Sequence, residues 1–218
     1  MQRRAASASN TNIDPADGTT ARDPDLNGNA PDGCALALLL IDVINDLEFD
    51  AGDRLLSQAL PAAARIADLK RRAKAADIPT VYVNDNFGRW RSDFRQTVAH
   101  CLEPGVRGRA LAQLLAPEAD DYFVLKPKHS GFQATVLDML LEHLGARRLI
   151  ITGFRSDSCV LFTAADAHMR NYGIHVPEDC TAALDAEQNR RALALLQHSL
   201  HADIQPATTL ELHALLQG

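Results

Sequence analysis

No segment narrows the possible architectures of this chain as sharply as CALALLLID, residues 34–42, where eight apolar residues run without interruption into an acid. Side chains along a strand point alternately to opposite faces, so a run that is apolar at every position needs cover on both sides. That demand selects a parallel sheet with helices on both faces over an antiparallel sheet with one wet face. The rest of the sequence repeats the theme. IPTVYVND, DYFVLK, RRLIITG, IHVPED and a short ADIQP read as five further strands. Between them lie stretches of helical spacing. RLLSQALPAAARIADLKRRAKAAD has Leu55, Leu56, Ala59, Ala63, Ile66 and Leu69 as its inner stripe, and GRALAQLL, TVLDMLLEHLG, CVLFTAADAHMRNYG, AEQNRRALALLQHSLH and TLELHALL follow. Gly145 is the expected C-cap of one helix and Gly173 the closing residue of another. Alternating strands and helices predict an α/β fold: three layers, α/β/α, around a mainly parallel, Rossmann-like sheet of about six strands joined by right-handed crossovers.

Composition bounds the rest. The chain has 218 residues, enough for one sizeable core and too few for two ordinary enzyme domains. Residues 1–32 are rich in Ala, Asp, Asn, Gly, Thr and Pro and hold few large apolar side chains, so they are expected to be a disordered tail before a single domain over 33–218. The net charge is -6 and no long basic block occurs, which argues against a nucleic-acid partner. No apolar run reaches membrane-spanning length, and MQRRAASASN lacks the apolar stretch of a secretory signal. The four cysteines form no C-x-x-C pair. A reducing, cytoplasmic setting without a membrane partner is the expectation.

In open parallel sheets the site lies beyond the carboxyl ends of the strands. That rule singles out Asp42, the segment NDNFGRWR, Lys126 and the segment GFRSDSC. Each residue type has an ordinary structural use: an Asp caps a helix, a Lys snorkels to solvent, and a Cys packs as a small hydrophobe. Their conjunction has a chemical use. A helix N-terminus and a nearby ammonium favour a thiolate at Cys159. A carboxylate beside the sulfur can take the thiol proton and later return it to a leaving group. Backbone amides at the start of the same helix can bind an oxyanion. These are the parts of an acyl-transfer hydrolase acting on a small molecule.

The segments LLLIDVINDLEF, VLKPKHSGF and TGFRSDSCVLFTAADAHMRNYGIHVPEDC resemble the three signature segments of the isochorismatase-like cysteine hydrolases, over roughly residues 36–184. The resemblance implies Asp42, Lys126 and Cys159 as the catalytic residues. Lys126 is preferred to Lys128 because the family's lysine stands four residues before a serine, as Lys126 does before Ser130. It also implies a cis peptide between Phe154 and Arg155, an oxyanion hole of the Arg155 and Cys159 amides, Asp42 as the base for the hydrolytic water, and a dimer or tetramer. Asp157 then reads as a helix cap. Some relatives hold a metal with a D-x-H pattern after the second strand. Here Asp85 is followed two residues on by Phe87, so neither a metal nor another cofactor is expected. Phe87, Trp90 and His129 are candidate substrate contacts. The Arg155 side chain either clamps a substrate carboxylate or points to solvent.

The expected function is metal-independent cleavage of a small amide or related C–N bond through a Cys159 thioester. Vinyl-ether hydrolysis of the isochorismatase type is an alternative. So is a non-catalytic binding or redox-sensing protein on the same scaffold, with Cys180 as the nearest candidate partner for Cys159.

Overall fold

The computed structural model describes residues 33–88, 91 and 93–217. The expected tail over 1–32 and the candidate Trp90 lie outside the described residues.

The first apolar run forms β1 (Leu36–Ile41), in which every residue is fully buried. Its side chains alternate between two cores. Leu36, Leu38 and Leu40 join a cluster with Leu55, Ile66 and Leu69 of helix α1 (Gly52–Ala75), whereas Ala37, Leu39 and Ile41 join a second cluster. That second cluster includes Leu141 of α4 (Leu137–Leu144), Ala164 of α5 (Leu161–Met169) and Leu196 of α6 (Ala186–Leu200). Each buried Leu contributes roughly 1.5–3 kcal/mol, so continuous apolarity on both faces is what fixes β1 at the centre of three layers. The first core also takes α2 (Phe94–Cys101), α3 (Arg109–Leu114) and α7 (Leu212–Gln217).

Around β1 stand β2 (Thr80–Asp85), β3 (Tyr122–Lys126), β4 (Arg148–Phe154) and β5 (Gly173–His175), in the order β3-β2-β1-β4-β5. All pairings are parallel. β5 lies beside the first half of β4, and a two-residue β6 (Thr181–Ala182) lies beside its end, at Gly153 and Phe154. The expected α/β/α architecture with six parallel strands is therefore present.

Three local expectations are corrected. The sixth strand is Thr181–Ala182, and the ADIQP segment makes only a single bridge, Asp203 to His175. Pro177 and Pro206 lack the amide that longer pairing there would use. Gly173 opens β5 and does not close α5; the chain reverses earlier, at Asn171, whose φ is 65° and whose short side chain tolerates the left-handed region. Helix α2 was not expected, and it begins where the Asp93 side chain accepts the Gln96 amide at 2.8 Å. Gly145 is the left-handed C-cap of α4, as read from the sequence.

One close approach positions everything that follows. Gly153 sits opposite Ile41 with φ 110°, and a Cβ there would lie 2.1 Å from the Ile41 carbonyl oxygen. Only glycine permits this contact between the ends of β1 and β4. Among the described residues, no helix is long and apolar enough to cross a membrane.

Candidate active site

Asp42, the residue after β1, has φ 50°, a left-handed conformation that Asp adopts more readily than most residues. Its backbone is held by hydrogen bonds on both sides of the turn. The Asp42 amide donates to the Val83 carbonyl at 3.0 Å, and the buried Asn84 side chain both accepts the Ile44 amide at 3.1 Å and donates to the Ile44 carbonyl at 2.8 Å. The Asp42 carboxylate accepts the Asp85 amide at 2.6 Å.

Lys126 ends β3 and is completely buried, including its side chain. Its ammonium donates to Asp42 Oδ2 at 2.8 Å and to Cys159 Sγ at 3.4 Å, and it lies 3.6 Å from Asp85 Oδ2. Lys128, two residues on, is exposed.

Cys159 stands in a π-helical turn, Ser156–Val160, that leads from β4 into α5. The Arg155 carbonyl closes this turn by accepting the Ser158 and Val160 amides, both at 3.1 Å. The Phe154–Arg155 peptide bond is cis. Cys159 is part-exposed, while Cys34, Cys101 and Cys180 are buried. The fold therefore brings Asp42, Lys126 and Cys159 together, with the ammonium between a carboxylate and the one part-exposed thiol.

The electrostatics define the resting protons. Burial pushes the Asp42 carboxyl above the usual carboxylate range, although the Lys126 charge and hydrogen bonds from Cys159, Lys126 and the Asp85 amide pull it down. Burial, then the Asp42 charge, push the Cys159 thiol up to about 12 against the pull of Lys126. Burial alone would lower the Lys126 pKa, but the charges of Asp42, Cys159 and Asp85 outweigh it and keep the ammonium charged. Against the expected pull of a helix terminus and an ammonium toward a thiolate, burial and the Asp42 charge favour the protonated sulfur, and a carboxyl whose pKa is raised stands close by.

The remaining candidates divide. His129 reaches the sulfur, its Nδ1 lying 3.7 Å from Cys159 Sγ, and its ring stacks on Phe162 with centroids 5.7 Å apart. Arg155 turns its guanidinium onto Asp157 in a bidentate pair at 3.0 and 2.9 Å. Asp157 is consequently a partner of Arg155, and no side chain caps this turn. Phe87 lies on the loop beyond β2, 42% exposed, with its amide on the Asp85 carboxylate at 2.6 Å. Asp85, read from the sequence only as a vestige of a metal pattern, is occupied by that amide and by Lys126. Among the described residues, no group of three or more His, Cys, Asp and Glu side chains is disposed to hold a metal.

Sequence reasoning missed the braces on the loop between Lys126 and α4. Ser130 Oγ donates to Asp166 Oδ2 of α5, and the Gly131 amide donates to Thr163 Oγ1 at 2.9 Å. Both partners fall within the helix that follows the Cys159 turn, a pattern visible in the TAADA segment only once the loop is known to cross it. A groove of about 710 Å³ between α1 and α6, with Arg65, Asp179 and Asn189 in its walls, is a different feature, and none of Asp42, Lys126 and Cys159 lines it.

Comparison with known proteins identifies the family. The family model described as the isochorismatase domain matches residues 36–207. YaaI of Bacillus subtilis, described as an uncharacterized isochorismatase family protein, is 40% identical over 168 residues, covering 77% of this chain and 92% of its own length. The ureidoacrylate amidohydrolase RutB of Methylobacterium radiotolerans is 30% identical over 188 residues, covering 75% of this chain and 73% of its own. Among solved structures, the pyrazinamidase/nicotinamidase of Streptococcus mutans has a TM-score of 0.61 at 29% identity, covering 78% of this chain and 99% of its own. The N-carbamoylsarcosine amidase of Thermoplasma acidophilum has a TM-score of 0.61 at 26% identity, covering 81% and 98%. On the family match and these relatives, the chain belongs to the isochorismatase family of hydrolases.

Proposed function

We propose that this protein is a metal-independent cysteine hydrolase that cleaves a small amide or related C–N bond through a thioester on Cys159. The observation that carries the reading is the Lys126 ammonium, buried and bonded to both the Asp42 carboxylate and the Cys159 sulfur. A binding protein has no use for a charged relay of this kind beside a part-exposed thiol. The names of the relatives support the bond type: ureidoacrylate, N-carbamoylsarcosine and nicotinamide hydrolases all act on C–N bonds of small molecules.

In this reading Asp42 takes the Cys159 proton as the sulfur attacks the substrate carbonyl. A thiol raised to about 12 calls for proton transfer coupled to attack, and a buried carboxylate with a raised pKa suits that task. Lys126 holds Asp42 ionised before transfer and offsets the charge that develops on sulfur. The oxyanion rests on the Arg155 and Cys159 amides. Asp42 then hands its proton to the departing nitrogen, and water releases the acid from the thioester. Asp85 lacks the imidazole two residues on that a metal would need, and its carboxylate is used by Lys126 and the Phe87 amide. The burial of Cys180 removes the nearest candidate partner for a redox disulfide.

The test is ammonia release over a panel of small amides, ureas and carbamoyl amino acids, with chelator present throughout. Cys159→Ala should lower turnover by a factor on the order of 10⁴ or more, and chelator should leave the wild type unchanged. Turnover that survives in Cys159→Ala would sink the reading, and turnover lost to chelator would sink its metal-independent part.

A further inference from the structure

We propose that His129 is a second acid–base catalyst of this site, serving hydrolysis of the thioester. The inference rests on the cysteine-hydrolase reading and departs from the expectation that Asp42 serves both half-reactions. The two groups approach the sulfur from unlike surroundings. Asp42 is 6% exposed, and its carboxylate is bonded to the Asp85 amide and the Lys126 ammonium. His129 is exposed, and its Nδ1 is 3.7 Å from Sγ. Its ring orientation is held by the stack on Phe162, at an interplanar angle of 20°. Once an acyl group occupies the sulfur, water enters from solvent and meets the imidazole.

The chemistry balances without any further reagent. Neutral His129, protonated on Nε2, takes a proton on Nδ1 from water as the water oxygen bonds to the thioester carbonyl carbon. The carbon–sulfur bond then breaks and its electron pair stays on sulfur. The imidazolium returns its proton from Nδ1 to Sγ across their direct contact, leaving the thiol, a neutral imidazole and the free acid. The charged groups around the ring leave this role open. Cys159 faces it, with Lys126 and Asp42 bonded behind the sulfur, and the exposed Lys128 is its chain neighbour. Asp157 of the nucleophile turn is paired with Arg155, and Asp166, facing the adjacent Ser130, is paired with Arg170.

The experiment uses p-nitrophenyl acetate as an acylating probe and follows acetyl-Cys159 by intact mass against time and pH. Wild type is run beside His129→Phe, which keeps an aromatic ring to stack on Phe162, and His129→Gln. Acetyl-Cys159 should form in all three and decay on the order of 10²-fold more slowly in both variants. The wild-type decay should slow on the acid side, and the variants should lack that limb. Decay at the wild-type rate in both variants would overturn the proposal. So would slower decay that keeps the acid limb, which would make His129 a packing residue. Failure of Cys159 to acylate in wild type would remove the hydrolase reading itself.

Discussion

Strand β3 is flanked by two buried lysine–carboxylate pairs, one at each end, and only one of them reads as a site. At its amino end Asp121 accepts from Lys70 of α1 at 2.6 Å, and at its carboxyl end Lys126 donates to Asp42 at 2.8 Å. Both lysines are nearly or wholly buried, and burial raises the carboxyl in each pair. The difference lies in the other partners. Lys70 donates to the Ala116 carbonyl at 3.3 Å, lies 3.4 Å from Glu118 and covers the Tyr82 ring at 5.3 Å. These contacts tie α1 to the segment before β3. Lys126 instead gives a donor to a part-exposed thiol. A buried ion pair alone is therefore poor grounds for a catalytic assignment; what distinguishes the carboxyl edge is a part-exposed thiol within reach of the same ammonium.

The strongest way to break this contrast is to remove each ammonium in turn. Lys126→Met should lower turnover by roughly 10²–10⁴-fold, while Lys70→Met should leave turnover near wild type. Each strands a buried carboxylate, so urea unfolding should show a stability loss of about 3–5 kcal/mol in both. Equal activity losses in the two variants would erase the distinction.

A smaller effect sharpens it. Asp42 must be ionised to accept the thiol proton, and its pKa is raised, so acylation should fall off on the acid side above the ordinary carboxylate range of about 3.9. Because Lys126 pulls that pKa down, Lys126→Met should move the acid limb to higher pH. Ultraviolet thiolate absorbance, taken against Cys159→Ala, should be absent at neutral pH and grow in only toward about 12. A thiolate signal at neutral pH would contradict the coupled proton transfer.

The smallest effect belongs to Arg155. Its pair with Asp157 is part-exposed, so Arg155→Ala should cost less than about 1 kcal/mol of stability. KM should change less than about tenfold. A much larger rise in KM would show that the guanidinium leaves Asp157 to clamp substrate.

Much of this was legible because burial on both faces writes itself into composition. Strand β1 announces itself as an unbroken apolar run, β2, β3 and β4 carry shorter apolar stretches, and each of the four ends in, or just before, a residue of the site or of its hydrogen bonds. Legibility failed where pairing is short or tertiary. Two residues, Thr181 and Ala182, cannot display a pattern, and their pairing depends on β4 extending past β5. The contact of His129 with sulfur depends on how the loop after β3 crosses α5, which Asp166 and Thr163 fix from a distant part of the chain. The protonation of Cys159 depends on desolvation, which helix-terminus reasoning leaves out.

The glycine at position 153 has a consequence for anyone who would re-engineer this protein. Its missing side chain sets the spacing between the strand that carries Asp42 and the strand that leads to Cys159, through an approach that a Cβ would close to 2.1 Å. The spacing of the chemistry is thus a property of the frame, and variation at Phe87 or in the Arg155 side chain leaves it untouched. A mutational library confined to those rim positions explores new substrates on a fixed reaction geometry, whereas one that includes Gly153 spends its members on broken frames.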